Sequence, residues 1–408
     1  GEYFIDRAGG RLYLYPADGM TSASAVTVSI LTEPLLSLTG VSHVAFENLT
    51  LTTGRSLAAK LVGGESVRLE GLDILNFTSG GLQIVGGKNH SVRACRIRHV
   101  GATGIRMSGG NWATLTPSGH VVKDCEIHHC GYFDKVYQPA LSFAPRSVGY
   151  RIVRNRIHHL PHAAILVRGN DHLIEYNEFH DVGLEFSDMG AIYANLGSYP
   201  AERGTVIRRN RFHSIGRAMP HVVAIYMDNQ TMGWTIEENI FWDIGDIAIN
   251  MNSGAHHTIR KNLFVDVPIP IRQAYNAFGA NDLSEEWRRY FKDHDIRAMP
   301  HAKRYPELLK FFDENRRHPD TIIVESNLIF NPTVPLRAKT GVEHPEPRLL
   351  RAKNNRITTE DPGFVDWKRG DFRLKPGIGP DVLPPVFRPI PVERIVPKAP
   401  EVIQSQRR

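Results

Sequence analysis

The sequence predicts an all-β fold, a parallel β-helix in which short strands wind into stacked coils. Three observations carry that prediction. A seven-residue phrase recurs along the chain, most copies open with asparagine, and each is followed by a second aligned stretch of alternating apolar residues. The phrase reads Cys95-Arg-Ile-Arg-His-Val-Gly, Cys125-Glu-Ile-His-His-Cys-Gly, Asn155-Arg-Ile-His-His-Leu-Pro and Asn177-Glu-Phe-His-Asp-Val-Gly. It continues as Asn210-Arg-Phe-His-Ser-Ile-Gly, Asn239-Ile-Phe-Trp-Asp-Ile-Gly and Asn262-Leu-Phe-Val-Asp-Val-Pro, with weaker copies near Asn48, Leu72, Asn327 and Asn355. Starts between 95 and 262 are 30, 30, 22, 33, 29 and 23 residues apart. A period of 22 with variable insertions suits one coil per repeat, the insertions falling in turns between strands.

The opening asparagine has a physical task. Coils stacked about 4.8 Å apart bring each amide over the last, so the column can form a hydrogen-bonded ladder inside a turn. Cys95 and Cys125 fill the same column, where either a disulfide or a stacked thiol pair is possible. With no CxxC among Cys95, Cys125 and Cys130, no metal or redox motif is expected. The histidines of the phrase, His128, His158, His180 and His213, share a column and read as a structural stack rather than metal ligands.

Composition agrees with a packed chain. Of 408 residues, 41% are hydrophobic and 23% charged, which excludes a disordered or fibrous protein. Lys plus Arg number 49 against 43 Asp plus Glu, a net +6 spread along the chain. That argues against a nucleic-acid partner and is compatible with an anionic substrate. No apolar run approaches the length of a membrane-spanning helix, so no membrane association is expected. The chain opens at Gly1 with no charged-then-apolar leader. A processed or truncated product of secreted or periplasmic location is the expectation.

In chain order, residues 1–40 read as a β lead-in capping the first coil. Tyr3-Phe-Ile-Asp and Arg11-Leu-Tyr-Leu-Tyr-Pro form a hairpin, and Val26-Thr-Val-Ser-Ile a further strand. Residues 41–376 form the β-helix, interrupted over 268–321 by a helical insertion. There Asp282 and Glu285 form a capping box ahead of Trp287, Tyr290 and Phe291. A second helix starts near Pro306 with Leu308, Leu309, Phe311 and Phe312. The insertion is expected to pack on the flank of the coils. Residues 377–408, Pro-rich and then charged, read as a strap with a frayed end.

The second column locates the chemistry. It reads Gly104-Ile-Arg-Met-Ser, Ala140-Leu-Ser-Phe-Ala, Ala164-Ile-Leu-Val-Arg, Ala191-Ile-Tyr-Ala-Asn, Ala224-Ile-Tyr-Met-Asp and Ala248-Ile-Asn-Met-Asn. Alternation sends Ile165, Ile192, Ile225 and Ile249 inward. One outward row is then Arg106, Ser142, Leu166, Tyr193, Tyr226 and Asn250. The next is Ser108, Ala144, Arg168, Asn195, Asp228 and Asn252. Two adjacent tyrosines beside hydrogen-bonding groups suit a sugar ring, whose C–H faces are apolar and whose hydroxyls must be paired. Loops around these strands add Glu185 and Asp188, His162, His221 and Arg203. Asp188 and Asp228 lie on adjacent coils near opposite strand ends. They can act together only if the loop before Gly190 folds back over the face.

At these residues the chain resembles the right-handed, pectate-lyase-like β-helix carbohydrate-active proteins, and within them glycoside hydrolase family 141. The similar stretches are Gly1-Glu-Tyr-Phe-Ile-Asp-Arg with Leu12-Tyr-Leu-Tyr-Pro, Gly169-Asn-Asp-His-Leu-Ile-Glu-Tyr-Asn-Glu, Asp188-Met-Gly-Ala-Ile-Tyr, Ala224-Ile-Tyr-Met-Asp-Asn and Asp361-Pro-Gly-Phe-Val-Asp. The resemblance implies catalysis by Asp188 and Asp228. It departs at Asn229, where relatives often carry a second acid, and at Leu196-Gly-Ser.

The first expectation is therefore a glycoside hydrolase without cofactor or metal, acting on a polysaccharide or oligosaccharide. Asp228 would be base or nucleophile and Asp188 the general acid, whose pKa must be raised for that task. Tyr193 and Tyr226 would hold the sugar, with Arg168, Asn195, Asn252, Asn229, Glu185, His162, His221 and Arg203 as further contacts. The alternative is a polysaccharide lyase or uronate epimerase using Arg168, Arg106, His221, His162 or Tyr193. A Ca²⁺-dependent lyase would need more clustered acids than Asp188, Glu185 and Asp228. A third reading is a non-catalytic glycan-binding β-helix.

Overall fold

The computed structural model describes residues 2–194, 201–228, 231–252, 254–274, 289, 292–309, 322–332, 342–343, 350–379, 382–384 and 386–395. Contacts divide the chain into two units, Gly1–Ile30 and Leu31–Arg408. The first holds the expected antiparallel hairpin, Glu2–Asp6 paired with Arg11–Tyr15. Val26–Ile30 is not a strand. Leu36–Thr39, placed in the lead-in by sequence, is instead the first strand of the third sheet of the coils.

The second unit is a parallel β-helix. Among the described residues, three parallel sheets of eleven strands each run along it. Each coil contributes one strand to each sheet. In the coil at the centre these are Leu173–Glu175, Glu178–Val182 and Met189–Ala194. Parallel neighbours ordinarily need a long crossover, which here is simply the remainder of the coil. The phrase asparagine stands at the bend between the first and second sheets.

Alternation fills the interior. Ile127, Ile157, Phe179, Phe212, Phe241 and Phe264 occupy one inward column in consecutive register. The four phenylalanine rings stack at 4.9, 5.0 and 4.9 Å. The asparagine ladder is equally regular. Asn177 Nδ2 donates to Asn210 Oδ1 at 2.9 Å, Asn210 to Asn239 at 3.0 Å and Asn239 to Asn262 at 3.0 Å. Each Nδ2 also donates to a backbone carbonyl inside the coil, as from Asn210 to Ile174 at 2.9 Å. These amides are wholly buried, and the ladder satisfies them where water cannot. Cys95, Cys125 and Cys130 are free and buried, so the column is capped by thiols rather than a disulfide.

The phrase histidines stack as expected, His128 on His158 at 4.9 Å, His158 on His180 at 4.6 Å and His180 on His213 at 4.8 Å. A second histidine set lies at the bend between the third and first sheets. His90, His120, His172 and His257 each accept a backbone N–H at Nδ1. Their Nε2 atoms lie within 3.1 Å of carbonyls of Gly63, Gly86, Arg168 and Thr231. An acceptor at Nδ1 and a donor at Nε2 define a neutral imidazole.

The interruption begins later than the sequence predicts. Ile269–Ala274, assigned to the helical insertion, is a strand of the third sheet whose Ile271 pairs with Ile249. Within the described part of the insertion, a five-residue helix spans Pro300–Arg304, and residues 307–309 are helical. Leu308 is buried against Trp112, Val148 and Tyr305 on the flank of the coils. Asp282, Glu285, Trp287, Tyr290, Phe291, Phe311 and Phe312 lie outside the described residues. Near the C-terminus, Phe387, Ile390 and Ile395 cover outward apolar residues of the second sheet, Ile240, Leu263 and Val265 among them.

Candidate active site

The site is built on the third sheet, at strands Met189–Ala194, Val222–Met227 and Ile247–Asn252. Register confirms the columns: Ile192 pairs with Ile225 and Tyr193 with Tyr226, then Ile225 with Ile249 and Tyr226 with Asn250. The tyrosine rings stack with centroids 5.2 Å apart. The backbone allows this approach because residue 190 is glycine. A Cβ there would lie 2.8 Å from the Cβ of Tyr226.

The two tyrosines cross-link the two aspartates. Tyr193 donates its hydroxyl to Asp228 Oδ2 at 3.0 Å, and Tyr226 donates to Asp188 Oδ1 at 3.3 Å. Asn252 Nδ2 donates to the other oxygen of Asp228 at 2.7 Å. Asp228 is 7% exposed, whereas Asp188 is open to solvent. Asp188 reaches the face from the residue just before its strand, where a left-handed backbone (φ 55°) ends the preceding loop. That turn supplies the fold-back on which the pairing of the aspartates depends.

The face is more enclosed than alternation implies. Tyr193 and Tyr226 are only 4% and 7% exposed, so this part of the outward row is not open solvent. Loops between the second and third sheets rise beside it. Tyr137, on one of them, stacks on Tyr193 at 6.4 Å and packs on His162 at 4.8 Å. Burial and the neighbouring Asp228 carboxylate push the Tyr193 hydroxyl far up, and burial with Asp228 and Asp188 does the same to Tyr226. Both tyrosines are therefore hydrogen-bond donors, not bases.

The other expected contacts divide. Asn252 joins the aspartates. His221 is exposed, with its carbonyl accepting from Met189 N at 3.3 Å one coil from Asp188, and its Nδ1 lies 3.4 Å from Asp246. His162 lies behind the face between Tyr137 and Phe186, and burial brings its pKa down to about 4. Glu185 is on the loop that ends at Asp188, paired with Lys135. Arg168 is turned to Glu202, 2.9 Å away and buried. Arg203 is not brought to the site. It is wholly buried beneath the helical segment, its guanidinium 2.8 Å from His256 and 3.7 Å from Glu307. Asn195 and Asn229 lie outside the described residues.

Three residues are added. Tyr137 sits in an insertion whose aromatic content, Tyr132, Phe133 and Tyr137, is its sequence signal. Asn250 is in the predicted outward row, buried, and its Oδ1 has no partner among the described residues. Arg272 follows it in register, on the strand hidden inside the supposed insertion. In the other direction the row runs through Leu166, Ser142, Arg106 and Gln83 to Lys60. A cleft of about 530 Å³ opens there, lined by Lys60, Gln83, Arg106, Asp134 and Gln138. Among the described residues, the clusters able to hold a metal ion both lie on the second sheet, away from this face.

The right handed beta helix region family matches residues 21–138 and 140–267, more than half of the chain. The chain is a right-handed β-helix protein. The match spans the strands carrying Asp188, Tyr193, Tyr226 and Asp228, so the face belongs to the family's own coils and not to an appended segment. No curated protein matches this β-helix protein. The right-handed β-helix is a fold shared by polysaccharide-degrading enzymes, and fold alone does not fix the reaction.

Proposed function

We propose that the protein is a glycoside hydrolase whose reacting pair is Asp188 and Asp228. The observation that carries this reading is two carboxylates from neighbouring coils, each held by the hydroxyl of one member of a single stacked tyrosine pair. Glycoside hydrolysis needs two such groups, one to protonate the leaving oxygen and one to attack the anomeric carbon or activate water. Asp228, buried and oriented by Tyr193 and Asn252, is suited to the second task. Asp188, exposed at the loop end, would protonate the glycosidic oxygen of the bound glycan as the leaving group departs to solvent. Asn250 offers a buried acceptor, without a partner among the described residues, for a sugar hydroxyl. Lys60 and Arg106, farther along the row, favour a glycan carrying anionic groups, for which secretion or export would be the fitting location.

A lyase or epimerase needs a base at C5 and a cation at the uronate. The tyrosines are held protonated, His162 is buried and Arg168 is bound to Glu202. That leaves this reading only the exposed His221, 3.4 Å from Asp246, and Arg106, three strands from Tyr193. The bonded aspartate pair gives the hydrolase the better support. The test is digestion of neutral, fucosylated and uronate-containing polysaccharides, followed for new reducing ends and for the ultraviolet band of unsaturated uronates. Reducing ends without the band, abolished by Asp228→Asn, are expected. The band, or an unimpaired Asp228→Asn enzyme, would overturn the two-aspartate mechanism. Binding without turnover in wild type and mutant alike would favour a glycan-binding β-helix.

A further inference from the structure

The second sheet carries a set of convergent side chains that the groove does not use. In two successive coils the fourth and fifth phrase residues are both histidines, His128–His129 and His158–His159. The fifth has a left-handed backbone, φ 52° at His129 and 51° at His159. That turn brings the adjacent rings together. Nδ1 of His158 lies 2.7 Å from Nδ1 of His159, and the His128–His129 pair repeats this at 2.6 Å. One coil on, His180 stacks on His158 with Asp181 Oδ2 2.7 Å from its Nδ1. One nitrogen each from His158, His159 and His180 lie within 4.8 Å of one another.

We infer that His158, His159 and His180 form a binding site for a transition-metal ion of the Zn²⁺ class. Three imidazole nitrogens suit such ions and not Mg²⁺ or Ca²⁺, which take oxygen ligands. A metal-bound histidine presents one nitrogen to the ion and gives its other N–H to a carboxylate. His158 has that partner, with Nε2 3.5 Å from Glu126 Oε1, which leaves Nδ1 for an ion. Asp181, beside His180, supplies negative charge and a carboxylate oxygen at the open side. Nitrogens around a tetrahedral ion stand about 3.3 Å apart. The His158–His159 pair must therefore open slightly and His180 swing inward. His159 is exposed and His180 half-buried, so side-chain rotation suffices.

A second cluster, Glu178, His180 and His213, shares one residue with this site. Its carboxylate is already held by Arg156 at 2.9 Å, with Arg211 3.9 Å away, and those guanidinium charges oppose a cation. The first cluster has no such neighbour among its ion pairs within the described residues. The site stands on a different sheet from Asp188 and Asp228 and does not depend on the proposed hydrolysis.

The experiment is calorimetric titration of the untagged full chain, stripped with chelator, using Zn²⁺ alone, on wild type, His159→Asn and His213→Asn. Asparagine suits the left-handed backbone at 159, and circular dichroism verifies folding of each variant. The expected result is one ion per chain, bound at least tenfold more weakly by His159→Asn and within threefold of wild type by His213→Asn. The reverse ranking would move the ion to the Glu178 cluster and overturn the assignment. So would the absence of Zn²⁺ binding by the folded wild-type chain.

Discussion

Tyr193 lies on the coil of Asp188 but gives its hydroxyl, at 3.0 Å, to Asp228 on the next coil. Tyr226, on the coil of Asp228, gives its own to Asp188 at 3.3 Å. This exchange ties two acids on neighbouring coils into one unit and makes their separation a property of the stacked rings. Tyr193→Phe keeps the ring and removes the donor. Steady-state kinetics on the glycan that the wild type cleaves should show kcat reduced about 10- to 100-fold, with KM little changed, because only the orientation of Asp228 is lost. Stability should fall by about 1 kcal/mol in urea unfolding. A variant with unaltered kcat would remove Tyr193 from any positioning role.

Arg106 tests whether the groove extends toward the first coils. It stands three strands from Tyr193 in the same row, through Ser142 and Leu166. Strands spaced about 4.8 Å apart put it roughly 14 Å away, near the length of three sugar units. Arg106→Ala should raise KM about tenfold for uronate-bearing oligosaccharides and leave neutral ones unaffected. The wild-type preference should shrink with added salt, since the side chain is exposed. Equal effects on neutral and anionic substrates would separate the cleft from charge recognition.

The coils were legible because each is nearly self-contained. A repeated phrase reports its own alternation, its ladder asparagine and its bend, so the register Ile192–Ile225–Ile249 follows from aligning short stretches. What alternation cannot report is what covers a face. It places Tyr193 and Tyr226 outward, yet loop residues such as Tyr137, distant in sequence and outside the repeat, decide their burial. The same limit misplaced Arg203, whose surroundings are set by the 300–309 segment roughly a hundred residues later. Ile269–Ala274 was hidden because Pro268 and Pro270 interrupt the pattern. Ile269 and Ile271 nevertheless hold register with Ile247 and Ile249.

Asn210 measures the ladder. Its Oδ1 accepts from the backbone N–H of Asn177 at 2.8 Å and from Asn177 Nδ2 at 2.9 Å, while its Nδ2 donates to Ile174 O and Asn239 Oδ1. Asn210→Ala removes these four bonds and a fifth, from Nδ2 to Arg208 O at 3.0 Å, and leaves buried partners on both sides unsatisfied. Each orphaned group costs about 1–3 kcal/mol. Urea unfolding should show a loss of about 3 kcal/mol or more, against less than 1 kcal/mol for the exposed Arg93→Ala. A loss near 1 kcal/mol would mean that the ladder contributes no more than an ordinary hydrogen bond.

The buried histidines at the bend between the third and first sheets predict acid sensitivity. Burial, joined at His120 by its neighbour His90, brings His120 and His172 down to about 4, and burial brings His257 to about 3. Their Nδ1 atoms accept backbone N–H groups, so protonation breaks a bond as well as placing a charge inside the coil. An unfolded chain takes up these protons near the ordinary value of about 6.5. Between that pH and about 4 the unfolded state binds more protons than the folded one, so stability falls as pH falls. Each histidine adds ~1 kcal/mol per pH unit to the slope in that window and nothing above it. Thermal unfolding from pH 7.5 to 4.5 should show a plateau followed by a steep decline below pH 6.5. His172→Gln, which keeps a donor and an acceptor but does not titrate, should unfold earlier at pH 7 and decline less steeply below 6.5. Parallel curves for the two proteins would show that His172 is not among the groups that couple folding to protons.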